Sequence, residues 1–182
     1  MEYVEPIRSK KQINEMKSYL KRHNMRDYLL FVLGINSGLR ISDLLSLTIG
    51  DVINADRVVI REKKTGKIKD FPLSCICKKA VNEYMATIST KEGWLFKSTR
   101  GERPISRIQA YRIIRNAALA IGIKDAIGTH TLRKTFGYWA YKNNNDITKI
   151  QKLLNHSTPQ VTLAYIGITK DDLDSIYTSL NL

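Results

Sequence analysis

The sequence predicts an α+β fold that is mainly helical and contains one small antiparallel β-hairpin. Apolar residues recur at helical spacing through most of the chain, and these segments follow a Ser, Thr, Asp or Asn that can cap a helix. The period changes to that of strands between residues 57 and 73, around a Lys-Thr-Gly turn. Of the 182 residues, 43% are apolar, which is enough to bury the core of one domain.

Three helices are predicted before the hairpin. Ser9 caps the first helix, and Asn24 caps the second, which ends near Gly38. The third helix is short and begins directly after Arg40. Taken alone, this arginine would be interpreted as a surface residue with which Asp43, three residues on, could form an ion pair. The inward residues of the first and third helices are expected to be Ile13, Met16, Leu20, Leu44, Leu45 and Leu47.

The hairpin is strongly basic. Its strands begin at Arg57 and Lys67, and residues 63–66 form the turn. Six basic residues stand in it against Glu62 and Asp70, namely Arg57, Arg61, Lys63, Lys64, Lys67 and Lys69. Such a ribbon can lie along a nucleic-acid groove or deliver a lysine to a phosphate. Spacing alone does not choose among Lys63, Lys64 and Lys67 for the second role.

Five further helices are predicted from caps, and a sixth ends the chain. The expected caps are Ser74, Ser106, Thr129, Asp146 and Thr158. Residues 94–96 are expected as a buried strand or a plug of the core. The inward residues are expected to be Ile76, Ala80, Val81, Tyr84 and Met85 in the first of these helices, and Ile108, Tyr111, Ile114 and Ala118 in the second. An amphipathic helix is expected over residues 169–182.

The charge of the chain indicates a polyanionic partner. The formal net charge is +13 and the pI is near 9.8, which favours nucleic acid because phosphate neutralisation releases counterions. Arginines are densest between residues 97 and 115, where Arg107 and Arg112 are the preferred candidates for DNA contacts. Two cysteines do not make a disulfide framework, and neither a signal peptide nor a membrane-spanning window is apparent, so a cytoplasmic protein associated with the nucleoid is expected.

Five residues in two parts of the chain have the chemistry to act on a phosphodiester. Arg40 and Arg133 can neutralise phosphate oxygens, His130 and His156 can move protons, and Tyr165 can attack as a phenol. His130 and Arg133 are three residues apart and share a helix face. No phosphate-binding glycine loop, carboxylate cluster or zinc-type cysteine pattern is present in the sequence, so neither ATP nor a metal cofactor is expected.

Four motifs in order give a resemblance to a known family. GLRISDLLSL, KKTGK, HTLRKTF and LLNHSTPQVTLAY together resemble the signature of the tyrosine recombinases, or phage integrase family, over most of the chain. This family usually has Gly where Asn155 stands. Asn tolerates left-handed backbone, so the turn into His156 is expected to survive.

The resemblance implies a site-specific DNA recombinase that works through a 3′-phosphotyrosyl intermediate. Tyr165 would be the nucleophile, Arg40 and Arg133 the phosphate clamp, and Lys64 the general acid. His130 would assist proton transfer and His156 would bind the phosphate, while Lys63 and Lys67 would contact DNA. Residues 9–168 would form the catalytic domain, after an N-terminal arm or linker remnant at residues 1–8.

The resemblance also implies partners, and it leaves rival functions open. A homotetramer on double-stranded DNA is expected, with an accessory DNA-bending protein as a further partner. The tail at residues 169–182 would pack on its own domain or dock on a neighbouring subunit. The alternatives are a type IB topoisomerase that relaxes supercoils, a non-catalytic DNA-binding regulator, and an RNA-binding basic domain, which would leave the ordered motifs unexplained.

Overall fold

The computed structural model describes residues 4–169 together with Asp172, Asp174, Tyr177 and Thr178. Within these residues the chain is mainly helical with one antiparallel two-stranded sheet, which confirms the predicted fold class. The elements are α1 Lys10–His23, α2 Met25–Ser37, α3 Ile41–Leu44, β1 Arg57–Arg61, β2 Ile68–Pro72, α4 Cys75–Met85, α5 Arg107–Ala120, α6 Thr129–Lys142, α7 Ile147–Leu153 and α8 Pro159–Ile166.

Helix α2 is the centre of the core. Leu29, Leu30, Phe31 and Val32 are all fully buried, as expected for a helix surrounded by other elements. It packs against α1, α3, α4 and α6. At Gly34 the approach to α6 is so close that an added Cβ would lie 2.6 Å from Leu132 Cδ1. This packing brings the end of α2 against the face of α6 that begins at residue 130.

Most helix starts are those that the sequence predicts. Ser9, Asn24, Ser106, Asp146 and Thr158 each accept a hydrogen bond from a backbone amide of the first turn. Ser74 is the residue before α4 but makes no such bond.

Thr129 is not the cap of α6, which corrects the prediction. The N-cap is Gly128, and Thr129 is the first helical residue. The hydroxyl of Thr131 accepts a hydrogen bond of 3.0 Å from the Gly128 amide, so a threonine inside the first turn fixes the start of the helix.

Two isoleucines that were expected inward lie outward. Ile76 is 40% exposed and Ile108 is 65% exposed. In α4 the buried stripe is instead Cys77, Ala80, Val81 and Tyr84, and in α5 it is Ala110, Ile114, Ala117 and Ala118. The small side chains of Cys77 and Ala110 occupy the inward positions instead, so both helices are rotated about their axes relative to the prediction.

The hairpin has the predicted position, and the segment after α4 acts as a plug. Arg57 pairs with Pro72 and Arg61 pairs with Ile68, so the second strand begins one residue later than expected. Leu95 and Phe96 are fully buried. Trp94 stays partly exposed and makes an isolated bridge to Thr48.

The described part of the N-terminal segment, residues 4–8, lies on the domain. Ile7 is buried. Its amide donates a hydrogen bond of 2.9 Å to Thr135 Oγ1, and its carbonyl accepts a hydrogen bond of 2.9 Å from the indole of Trp139. The guanidinium of Arg8 donates 2.9 Å to the carbonyl of Gly167, just after α8. The segment therefore connects α6 to the end of α8.

The predicted tail falls largely outside the described residues. Asp172 accepts hydrogen bonds from the amide and hydroxyl of Thr169, and Lys142 donates 2.8 Å to Asp172. Whether the tail docks on another subunit stays a prediction. No helix among the described residues is both long and apolar enough to cross a membrane.

Replacing Gly137 with alanine is expected to destabilise the fold. In an open helix this change would stabilise the folded state. Here the new Cβ would lie 2.6 Å from Ile166 Cγ2 and 3.1 Å from Leu154 Cδ1. We expect the free energy of unfolding, measured with urea, to fall by about 1–3 kcal/mol. Gly50→Ala is the control, because its nearest neighbour would be 3.8 Å away. Equal stability of the two variants would contradict this account.

Candidate active site

Arg133 joins three helices at the centre of the site. Its side chain projects from the second turn of α6 and is 3% exposed. One guanidinium nitrogen donates 2.5 Å to the carbonyl of Gly38, and another donates to the carbonyl of Leu154. Gly38 ends α2 in left-handed backbone, with φ of 61°, and Leu154 ends α7. Arg133 is therefore fixed in place by the ends of two other helices.

Arg40 stands at the start of α3 and pairs with an acid from the hairpin. Its Nη1 lies 3.0 Å from Glu62 Oε1, whereas Asp43 accepts a 2.9 Å hydrogen bond from the backbone amide of Lys63. Asp43, which could have paired with a surface arginine at this position, is instead bound to the hairpin turn. Among the described residues, Nη1 of Arg40 is buried and has no partner in hydrogen-bond geometry.

Tyr165 lies beside both histidines. Its hydroxyl is 3.4 Å from His130 Nδ1, and its ring meets that of His156 edge-on with centroids 4.7 Å apart. His156 Nδ1 is in turn 3.2 Å from the hydroxyl of Thr162 on the same helix as Tyr165. The ammonium of Lys134 lies 5.3 Å from the centre of the tyrosine ring. The structure thus brings together the tyrosine and histidines that the sequence predicts for the site.

The turn before His156 has the backbone that the sequence predicts. Asn155 has φ of 49°, in the left-handed region that asparagine tolerates. Its side-chain amide also donates 2.9 Å to Glu62 Oε2. Asn155 therefore both forms the turn and ties it to the hairpin.

Lys64 lies in the exposed turn of the hairpin, next to Thr65, whose hydroxyl donates 2.6 Å to Glu62. Its charge is among those that lower the pKa of His130, after partial desolvation and the charges of Arg133, Lys134 and Arg40. Lys63 and Lys67 are exposed on the same turn. From this exposed turn the charge of Lys64 acts on His130, and its role as general acid stays a prediction.

Arg107 and Arg112 lie apart from this cluster. Both are exposed on α5. No hydrogen bond or ion pair within residues 4–169 joins either of them to the residues around Tyr165. They stay predicted DNA contacts.

Lys69 and Glu62 lie in the same cluster, although no motif in the sequence pointed to them as site residues. Lys69 Nζ lies 3.3 Å from the carbonyl of Leu153 and 3.5 Å from that of Gly38, which Arg133 also uses. Burial and then the charge of Arg133 lower the pKa of Lys69 to about 8. Strand alternation could have found Lys69, since it shares the inward face of β2 with Phe71.

Partial burial and then an excess of positive charge lower the pKa of both histidines in the free site and keep them neutral. Partial burial, then Arg133 and Arg40, lower the pKa of His156 to about 4. Burial also raises the pKa of Tyr165, although the same two arginines oppose that shift. At neutral pH the tyrosine is therefore a phenol beside neutral imidazoles and two fixed guanidinium groups. Such a pocket suits an anion with transferable protons nearby, and no cluster of metal-ligating side chains occurs among the described residues.

Sequence comparisons place the chain among recombinases. Residues 8–171 match the Phage integrase family. The chain is 50% identical over 177 residues to the probable integrase/recombinase YoeC of Bacillus subtilis (strain 168), covering 97% of both chains. It is 36% identical over 146 residues to the type 1 fimbriae regulatory protein FimE of Escherichia coli (strain K12), covering 77% of this chain and 73% of FimE. Tyrosine recombinase XerD of Corynebacterium glutamicum is 30% identical over 159 residues, and the match covers 85% of this chain but 52% of XerD.

Solved structures share the fold. XerA recombinase superposes with a TM-score of 0.81 at 24% identity, over 100% of this chain and 67% of that one. A lambda integrase dimer bound to a core site gives 0.71 at 18% identity, over 93% and 51%. The fold is that of a tyrosine recombinase catalytic domain, with a tyrosine set among arginines and histidines. The chain belongs to the phage integrase family.

Acid is expected to destabilise the folded state through His156. Its pKa falls from 6.5 to about 4 on folding, so the unfolded chain takes up this proton first as the pH drops. Stability contributed by neutral His156 is therefore lost between these two values. Urea unfolding at about pH 7 and about pH 4.5 should show a larger acid loss in the wild type than in His156→Gln. An equal loss in both proteins would contradict the assigned pKa.

Proposed function

We propose that this chain cuts and rejoins double-stranded DNA at specific sites through a 3′-phosphotyrosyl intermediate. Membership of the phage integrase family supports the class of reaction. The observation that carries the assignment of residues is the position of the Tyr165 hydroxyl, 3.4 Å from His130 and beside the anchored guanidinium of Arg133. A phenol in this setting has a proton acceptor and a cationic seat for the phosphate that it attacks.

The proposed cleavage step exchanges one phosphoester bond for another. The oxygen of Tyr165 bonds to the scissile phosphorus while the bond from phosphorus to the 5′ oxygen breaks. The proton of the phenol passes to His130, and Lys64 protonates the departing 5′ oxygen. A 5′ hydroxyl from the partner strand then reverses the step. The energy of the phosphodiester is kept in the phosphotyrosine, so the reaction consumes no nucleotide.

The protonation states support these roles. Burial raises the pKa of Tyr165, so the phenol keeps its proton until a base removes it. The lowered pKa of His130 leaves its ring neutral at neutral pH, with a nitrogen free to accept that proton. The contact is made by Nδ1, so the acceptor tautomer carries its own proton on Nε2.

The two arginines would hold the phosphate as its charge develops. Arg133 uses two nitrogens on backbone carbonyls, which fixes the plane of its guanidinium before DNA arrives. Arg40 is held by Glu62, whose Oε1 lies 3.0 Å from Nη1, and its side chain stays 18% exposed. Preorganised cations of this kind stabilise a transition state without reorganising during the reaction. His156 would complete the seat by donating a hydrogen bond to the phosphate.

The wider assembly is part of the same proposal. Structures that share the fold include recombinases bound to their DNA substrates. Lys63 and Lys67 on the hairpin, and Arg107 and Arg112 on α5, would contact the DNA backbone. Four subunits would act together on paired sites, with an accessory DNA-bending protein where the sites require one. The protein would work on nucleoid DNA in the cytoplasm.

Trapping the covalent intermediate tests the function. The protein is incubated in EDTA with a pool of nicked duplexes of randomised sequence, in which cleavage releases a short strand and prevents religation. We expect a denaturant-stable protein–DNA adduct, from which the preferred site can be sequenced. Tyr165→Phe should abolish the adduct and retain DNA binding, because only the nucleophilic oxygen is lost.

Tyr19→Phe, on α1 and away from the site, is the matched control and should form the adduct normally. Tight binding by the wild type without an adduct would favour the non-catalytic regulator. Relaxation of supercoiled DNA without strand exchange would favour the topoisomerase.

The role of Lys64 is tested with a leaving group that needs no proton. On ordinary DNA, Lys64→Ala should slow adduct formation by about 10²–10⁴-fold. A substrate with sulfur in place of the bridging 5′ oxygen should restore the rate, because a thiolate leaves unprotonated.

Lys63→Ala and Lys67→Ala are the controls and should weaken binding without this rescue. Slow cleavage of both substrates by Lys64→Ala would exclude the role. Rescue of Lys69→Ala instead would assign the role to Lys69.

A further inference from the structure

We propose that Glu62 is a positioning residue for DNA cleavage, and that Asn155 is the link through which it holds the turn carrying His156. The inference deepens the proposed function and rests on it. Glu62 is at the end of β1, where the hairpin turn begins, and its side chain is 0% exposed. Glu62 takes no part in the proposed cleavage step.

The carboxylate of Glu62 joins three separate segments. Its Oε1 lies 3.0 Å from Nη1 of Arg40, which follows α2. Its Oε2 accepts 2.6 Å from the hydroxyl of Thr65 in the hairpin turn and 2.9 Å from the side-chain amide of Asn155, which follows α7. Each partner is itself a proposed catalytic residue or is adjacent to one, since Thr65 follows Lys64 and Asn155 precedes His156.

Burial makes this link strong. A carboxylate without water must find its partners inside the protein, and losing one of them leaves a charge that nothing else solvates. Burial would raise the pKa of Glu62, but the hydroxyl of Thr65, Arg40 and the amide of Asn155 outweigh that effect and lower it. Glu62 is therefore ionised at neutral pH. The three segments are held to one fixed anion.

Asn155 has two separable roles in this arrangement. Its φ of 49° requires a residue that accepts left-handed backbone, and glycine meets that requirement at least as well. Glycine has no amide to give to Glu62. The variant Asn155→Gly therefore removes the hydrogen bond to the carboxylate of Glu62 while keeping the backbone of the turn.

A positioning role and a structural role differ in what they change. If Glu62 only stabilised the fold, its loss would reduce the folded fraction and leave the cleavage rate of bound, folded protein unchanged. If it positions Arg40, the Lys64 turn and the His156 turn, its loss slows cleavage after DNA is bound. The single-turnover rate at saturating DNA separates the two cases.

The test uses the duplex recovered by trapping with the wild type. Adduct formation is timed at saturating DNA, together with binding affinity and thermal stability, for Glu62→Gln, Asn155→Gly and the double variant. We expect Glu62→Gln to slow the step by about 10–100-fold and Asn155→Gly by about 3–10-fold, with unchanged affinity. The loss in the double variant should be smaller than the product of the two single losses, because both changes act on the contacts of one side chain.

The matched control is Glu83→Gln. It also removes a carboxylate from an ion pair, with Lys21 at 2.9 Å, but on α4 and outside the site. Its cleavage rate should equal that of the wild type.

Wild-type rates in both Glu62→Gln and Asn155→Gly would overturn the inference and leave the proposed function standing. Multiplicative losses in the double variant would also overturn it. If Glu62→Gln fails to fold, the cleavage rate of Asn155→Gly alone decides the question. That variant removes one hydrogen bond from Glu62 and adds no buried charge. Failure of the wild type to form an adduct would instead refute the proposed function.

Discussion

The hydrogen bonds of Arg133 to the carbonyls of Gly38 and Leu154 are the constraint on which the site depends. They connect the ends of α2 and α7 to α6, and each carbonyl is one that a helix end leaves without an intrahelical partner. Arg40 follows Gly38 by two residues, and His156 follows Leu154 by two. The side chain of Arg133 therefore fixes the distance between the segments that carry Arg40 and His156. It can reach both helix ends because α2 packs closely on α6.

Positively charged side chains lie close together in the site and repel one another. Arg40, Arg133 and Lys69 crowd together, and the pKa values of Lys69 and His156 fall to about 8 and about 4 as a consequence of burial and this charge. Glu62 offsets part of the repulsion from within the protein. A bound phosphate would offset the rest, so binding and electrostatic relief coincide, as in other anion sites built from fixed cations.

Local signals in the sequence were sufficient for the frame of the fold, whereas the order of the four motifs was needed to choose the chemical groups. Caps such as Asn24 and the left-handed turn at Asn155 depend on residues close in the chain, so they could be predicted. The partner of Arg40 could not, because Glu62 directly follows β1, and the position of β1 against Arg40 depends on tertiary packing. The same limit explains Ile76 and Ile108, whose helices were placed correctly but rotated wrongly, since small residues filled the core instead.

The hydrogen bond from Arg8 to the carbonyl of Gly167 links two parts of the chain that are distant in sequence. They are 159 residues apart in sequence, yet Arg8 holds the carbonyl that ends the helix of Tyr165. Ile7 anchors the same segment on α6 through a hydrogen bond and a buried side chain. A force applied to residues 4–8 is therefore transmitted to the end of the helix that carries Tyr165. A handle for single-molecule force work attached at this end of the chain would therefore load the helix of Tyr165 directly.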